Sequence, residues 1–239
     1  MSTRSIIRVR LNGGYRVCQY VQSDGYPSWR GVEVLKFMRD VLTSGREQEF
    51  RNKLTAAKTV LSPVRSQPRF DMAMGVNIRR PPETCTGAPT NSLRDSWLDK
   101  AWEARFLPTS DGNPYGTRVR SWREAIEHLL SNGEITEKMA AWLAVAGRDS
   151  GIGALEWLMA HETPMTFYMP EDLVQLPEGG GSIGMDMIWG DYIIDLDART
   201  VICGYHHSFS IVIPFDVLIH ETDESIKERM ETFEKECDQ

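Results

Sequence analysis

Apolar and polar residues alternate with a period of two at both ends of the chain. Residues 4–11 (RSIIRVRL) and 15–22 (YRVCQYVQ) read as strands, and Asn12-Gly13-Gly14 between them suits a tight hairpin that needs positive φ. Residues 187–195 (MIWGDYIID), 200–205 (TVICGY) and 209–213 (FSIVI) read as a three-strand meander whose first turn is Leu196-Asp197-Ala198-Arg199.

Between these ends the period becomes helical. Val34, Leu35, Met38, Val41 and Leu42 predict a helix that Gly45 stops. Phe50, Leu54, Ala57 and Leu61 form one stripe, predicting a helix over 46–61 that ends at Ser62-Pro63. A helix over 92–106 would take Ser92 as its N-cap. Ser121-x-x-Glu124 is a capping box ahead of Trp122, Ala125, Ile126, Leu129 and Leu130, and Asn132-Gly133 closes that helix. Two more follow, over Thr136–Ala146 and Ala154–His161, and a charged amphipathic helix runs over 223–236 with Ile226, Met230 and Phe233 on its apolar face.

Pro63, Pro68, Pro81, Pro82 and Pro89 break regular structure over 63–91, which predicts a long loop carrying Arg65, Arg69, Arg79 and Arg80. TSDGNPYGT (109–117) is turn chemistry, and 177–182 reads as a flexible glycine connector. Strands at both ends with helices between them imply an α+β fold. Its mostly antiparallel sheet is formed by the N- and C-terminal strands, with a helical central insertion. The expected division is a sheet platform from 1–62 and 183–239 and an insertion over 63–182.

Composition narrows this little. The 239 residues are 41% hydrophobic and 26% charged, ordinary for a folded domain that buries its own core. No apolar run reaches the length of a membrane span. The opening MSTRSIIRVR lacks an apolar stretch with a cleavage site, and Cys18, Cys85, Cys203 and Cys237 form no CxxC pair, so a cytoplasmic protein with reduced thiols is expected. Charge is polarised: residues 1–120 carry 20 Lys+Arg against 11 Asp+Glu, and residues 121–239 carry 7 against 23. That asymmetry fits an anionic partner for the first half or pairing between the halves.

The densest local signal is Ser23-Asp24-Gly25-Tyr26-Pro27-Ser28-Trp29-Arg30-Gly31. Asp24 and Gly25 suit a turn, Pro27 forces Tyr26 to be extended, and Ser28 suits a helix cap. Geometry accounts for every residue but the rings of Tyr26 and Trp29, which suit stacking on a base or anchoring a protein partner. Arg65, Arg69, Arg79 and Arg80, with Arg118, Arg120 and Arg123, suit phosphate or carboxylate recognition.

Catalytic patterns are incomplete. Gly180-x-Ser182-x-Gly184, followed by Asp195 or Asp197 and then His206 or His207, has the residue order of an α/β-hydrolase. A glycine run precedes the serine and a strand follows it, where a nucleophile elbow needs a strand and then a helix. Adjacent His206 and His207 on a strand point to opposite faces and would not share an ion. His161-Glu162 lacks the second histidine of a zincin, and no phosphate-binding glycine loop is present. No cofactor and no metal are expected.

MSTRSIIRVR, then YVQSDGYPSWRGVEVLKFM, and later DYIIDLDARTVIC are together similar to a family of small uncharacterised proteins carried by bacteriophages and bacterial mobile elements. The match covers about 1–45 and 187–205, and the chain departs from it where Gln22-Ser23 stand in place of a histidine near DGYP. The resemblance implies a phage accessory protein in the bacterial cytoplasm, a class rich in inhibitors of host defence. Three expectations follow. The first is a non-catalytic protein that binds a host macromolecule, such as a CRISPR-type nucleoprotein complex. The second is a nucleotide or signalling-molecule binder using the arginine loop, and the third a hydrolase using Ser182 or a metal.

Overall fold

The computed structural model describes residues 3–21, 24–62, 91–106, 120–146, 150–170, 174, 175, 178, 181–183, 186–206 and 209–238. The chain divides into two compact units, one from Met1–Gln67 with Phe167–Gln239 and the other from Pro68–Thr166.

The first unit is built on a sheet. Strands β1 (Arg4–Leu11) and β2 (Gly14–Val21) form the expected hairpin, with Asn12 and Gly13 at φ of 57° and 76°. After a π-helical turn at Pro27–Gly31 come α1 (Val32–Thr43), α2 (Glu47–Ala56) and β3 (Lys58–Ser62). The later half adds β4 (Thr166–Pro170), β5 (Gly181–Ile183), β6 (Asp186–Asp195), β7 (Thr200–Tyr205) and β8 (Phe209–Pro214). The main sheet runs β2-β1-β6-β7-β8, with β5 also paired to β6, while β3 and β4 form a separate two-stranded sheet. Every pairing in the main sheet is antiparallel except β1 with β6, which is parallel. The fold is therefore α+β, its sheet made by strands from the two ends of the chain.

Alternation gives the sheet two faces. Ile7, Val9, Tyr192, Ile194, Val201 and Cys203 share one, and all are fully buried. The π-helical turn crosses this face: a Cβ on Gly31 would lie 3.2 Å from the Tyr192 ring and 2.6 Å from the Met230 side chain. Met230 belongs to the last helix, which the labels α7 (Phe215–Leu218) and α8 (Asp223–Cys237) place in chain order. Helix α8 packs on α1 and on the turn, burying Ile226, Met230 and Phe233. Its capping box is Thr222 with Ser225. Phe37 and Phe50 meet edge to face at 5.5 Å and join α1 to α2.

The opposite face carries Ile6, Cys18 and Ile188, packed with Met169 and with Tyr15, Tyr20 and Val174 around them. It also carries charge. Arg8 and Asp191 are both fully buried there and joined by two hydrogen bonds, Nε to Oδ1 at 3.0 Å and Nη2 to Oδ2 at 2.7 Å. Two residues along, Arg10 donates to Asp195 at 2.7 Å and to the Tyr15 hydroxyl at 2.9 Å, and also pairs with Glu178.

Three expectations are corrected here. The helix expected over 46–61 stops at Ala56, because Ala57 turns extended (φ −65°, ψ 137°) and Thr59 and Val60 are β-branched residues that favour a strand. Leu61, placed on the buried stripe, is 54% exposed. The connector expected to reach Ser182 instead ends in β5, whose Ser182 pairs with Met187 of β6.

The second unit is helical. Its elements are α3 (Asn91–Glu103), α4 (Trp122–Ser131), α5 (Glu137–Ala146) and α6 (Gly153–Ala160). Helix α3 begins one residue before Ser92, so Ser92 lies inside it and is not its cap. Both bonds of the Ser121–Glu124 capping box are present. Buried Trp122 donates its indole N–H to the Leu143 carbonyl at 2.8 Å, tying α4 to α5.

Candidate functional site

Residues 24–31 (DGYPSWRG) form a corner over the C-terminal end of β7. Gly25 donates its N–H to the Thr3 carbonyl at 3.0 Å, and its own carbonyl accepts the buried Tyr192 hydroxyl at 2.8 Å. The approach leaves no room for side chains. A Cβ on Gly25 would sit 2.9 Å from Arg4 and Thr3 backbone atoms, and one on Gly190 would sit 2.5 Å from the Gly25 carbonyl oxygen. Asp24 enters the corner at φ 55°, in the left-handed region that aspartate tolerates better than most residues.

Beyond Gly25 the chain winds up. Tyr26 is extended (φ −68°, ψ 148°), as the following proline requires, and its carbonyl accepts from the N–H groups of Trp29 at 3.1 Å and Arg30 at 2.8 Å. Ser28 was expected to cap the next helix with its side chain. Tyr26 occupies the cap position instead, and Ser28 lies inside the turn, where its N–H donates to Glu234 Oε2 of α8 at 2.9 Å. The corner's backbone groups thereby tie it to Thr3 ahead of β1, to β6 and to α8, while its two rings stay partly open to solvent. Trp29 is 58% exposed and Tyr26 39%.

Tyr205 joins Tyr26 to a cluster of rings from the meander. Tyr205, at the end of β7, is buried with its ring centroid 6.4 Å from that of Tyr26 and 6.4 Å from that of Trp189. His206 stands edge-on to Trp189 and Tyr205, 4.2 Å from each, at φ 53°. Phe209 pairs with Tyr205 across β7 and β8 and is 45% exposed. Burial holds the Tyr205 phenol above its ordinary pKa, and Glu234 and Asp238 add to the shift. The same end of α8 pushes the Cys237 thiol up to about 11, first by burial and then through Asp238, Glu236 and Glu234. The aromatic patch thus has an acidic border, which includes Asp238 at 3.4 Å from His206 Nε2.

Tyr205, Trp189 and Phe209 are not singled out by the sequence, and His206 figures there only in the hydrolase pattern and as a metal candidate. Their signal was present as the run Tyr205-His206-x-x-Phe209, but nothing in a linear reading places it beside Tyr26. Arg65, Arg69, Arg79, Arg80 and Arg118 lie outside the described residues, as does His207. Arg120 and Arg123 belong to the helical unit, where Arg120 donates to the Ala104 carbonyl and Arg123 pairs with Glu127.

The hydrolase pattern does not assemble among the described residues. Ser182 lies within strand β5, without the strand-to-helix turn that a nucleophile elbow requires. Asp195 accepts the N–H groups of Asp197 and Ala198, and Asp197 accepts those of Asn12 and Gly13. Both carboxylates hold the β6–β7 turn, at the other end of β7 from His206, about 17 Å away along a six-residue strand. Among the described residues no cluster of three His, Cys, Asp or Glu side chains is placed to hold a metal, and no helix is long and apolar enough to cross a membrane.

The described geometry defines an α+β domain with a rigid aromatic corner. Comparison of the chain with known protein families, curated proteins and solved structures finds no match in any of the three.

Proposed function

We propose that this is a phage-encoded accessory protein of the bacterial cytoplasm that binds a host macromolecule through the aromatic corner and blocks it without catalysis. One observation carries the reading: Trp29 and Tyr26 are exposed on a turn whose backbone is tied by hydrogen bonds to Thr3, Tyr192 and Glu234. Large rings presented at low entropic cost are what dominates binding energy at protein interfaces.

The border of the patch supports a choice of partner. Helix α8 carries six acidic residues against three basic ones, and Glu234 and Asp238 lie at its corner end. A basic surface complements it, such as the nucleic-acid groove of a CRISPR-type nucleoprotein complex, whose arginines would stack on Trp29 while pairing with carboxylates. The resemblance of the opening strand, the DGYP corner and the late hairpin to a phage family points to the same class.

The test pairs a cellular assay with a binding assay. Phage plating on a host with an active CRISPR-type system should rise when the protein is expressed, and the purified complex should bind it. Trp29→Ala should weaken that binding by about tenfold or more, with the fold unchanged. Plating and binding that are the same with and without the protein would refute the reading.

A further inference from the structure

We infer that the aromatic corner takes the side chain of an arginine on the partner protein, with its guanidinium stacked on Trp29 and paired with Glu234. The inference rests on the reading of this corner as the binding surface and adds the chemical group that it recognises.

Exposed rings have three common occupants: a nucleobase, a quaternary ammonium inside a cage of rings, and a guanidinium lying flat on one ring. A cage needs several open rings turned on one point. Here Tyr205 is buried, and His206 fills the space between it and Trp189, 4.2 Å from each. That leaves Tyr26 and Trp29 as the open rings of the turn.

Charge rules against a base. A nucleotide brings its phosphate, and the last turn of α8 with its cap sets Glu234, Glu236 and Asp238 against Lys235 alone. Glu234 touches the turn itself, and both it and Asp238 act on the Tyr205 phenol. A phosphate placed here meets carboxylates, whereas a cation meets counter-ions.

A guanidinium fits what remains. Glu234 accepts the Ser28 N–H on Oε2 at 2.9 Å, and its other oxygen accepts no hydrogen bond among the described residues. The carboxylate is thus held at the residue before Trp29, with an acceptor to spare. A guanidinium is planar and weakly hydrated, so it stacks on an indole while its in-plane N–H groups reach a carboxylate. An ammonium is a compact, strongly hydrated charge that gives up one contact for the other. The corner already holds a like arrangement of its own: the planar nitrogen ring of His206 lies against two aromatic rings, with Nε2 3.4 Å from Asp238.

Titration of the full chain with N-acetyl-arginine methylamide tests the inference, followed by NMR at the Trp29 indole N–H. The matching lysine amide, tetramethylammonium and adenosine monophosphate are the comparison probes, each from about 1 to about 100 mM because a single side chain binds weakly. The expected result is a saturable shift with arginine at a concentration at least about fivefold below that for lysine or tetramethylammonium, and no shift with the nucleotide. Glu234→Gln keeps an acceptor for the Ser28 N–H while removing the charge, and should weaken arginine binding about threefold or more. Should that variant fold poorly, the ranking of probes on the native chain decides. A response to lysine or tetramethylammonium as strong as that to arginine, a response to the nucleotide, or no response at all overturns the inference.

The two readings fail separately. Host binding that depends on Trp29, in a protein whose Trp29 ignores arginine, overturns this inference and leaves the proposed function standing. An arginine response in a protein that binds no host complex upholds the inference and refutes that function.

Discussion

Arg8 and Asp191 lie 183 residues apart in sequence and form a bidentate ion pair, wholly buried, across the parallel junction of β1 and β6. The register sets Ile6 beside Asp191 and Arg8 beside Ile193, so the two side chains meet diagonally on one face. Removing one partner leaves the other charge buried, whereas removing both leaves only a packing problem. Asp191→Ala should lower unfolding free energy by about 3–5 kcal/mol in urea titrations followed by circular dichroism. The double variant Arg8→Met with Asp191→Leu should recover most of that loss. A single variant as stable as the native chain would contradict the burial of the pair.

The corner separates structural from exposed residues. Gly190→Ala would drive a methyl group into the Gly25 carbonyl and the Tyr192 ring, and should cost about 2 kcal/mol or more. Trp29→Ala should change stability by no more than about 0.5 kcal/mol, because most of the residue is exposed. Thermal melts of the two variants side by side check the contrast.

Burial pushes the Cys203 thiol up to about 12, with Asp191 adding to the shift. An unfolded cysteine ionises near 8.5, so above that pH the unfolded chain releases a proton that the folded chain keeps. Stability should therefore fall as pH rises from about 8.5 towards 12, by about 2 kcal/mol at pH 10 from this group. Cys203→Ala should show a shallower alkaline decline in urea titrations at pH 7.5, 9 and 10.

Acid acts through the β6–β7 turn. The N–H groups of Gly13 and Asn12 hold the Asp197 carboxyl below its usual range. A depressed folded pKa contributes stability that is present above the unfolded value, near pH 4, and lost as pH falls through the folded one. Asp197→Asn should lower the melting temperature at pH 7 and flatten its fall between about pH 4 and pH 2.

The hairpin and the meander are legible in the sequence because runs of six to ten residues rich in β-branched and aromatic side chains lie between clear turns. The short strands β3 and β5 are not. Five residues after a helix look like its last turn, which is how Leu61 was placed on a stripe that ends at Ala57. Three residues beside a glycine run look like linker. The alternating arginines of β1 read as a polar face, yet Arg8 is buried, because its partner is an aspartate in a strand that local pattern cannot bring near. Tyr26 and Trp29 stood out because turn chemistry left them unexplained. Tyr205 and Phe209 did not, since aromatic residues in a strand are ordinary until their neighbours are known.

The parallel pairing of β1 with β6 bears on biosynthesis. The hairpin leaves the ribosome well before its neighbour in the sheet, which begins at Asp186, so β1 waits while the chain between them is translated, including all of Pro68–Thr166. Sheet closure across so long a separation is slow. During that interval the nascent hairpin shows Ile7 and Val9 to its surroundings and Arg8 has no Asp191, so this stretch is where aggregation during synthesis would start.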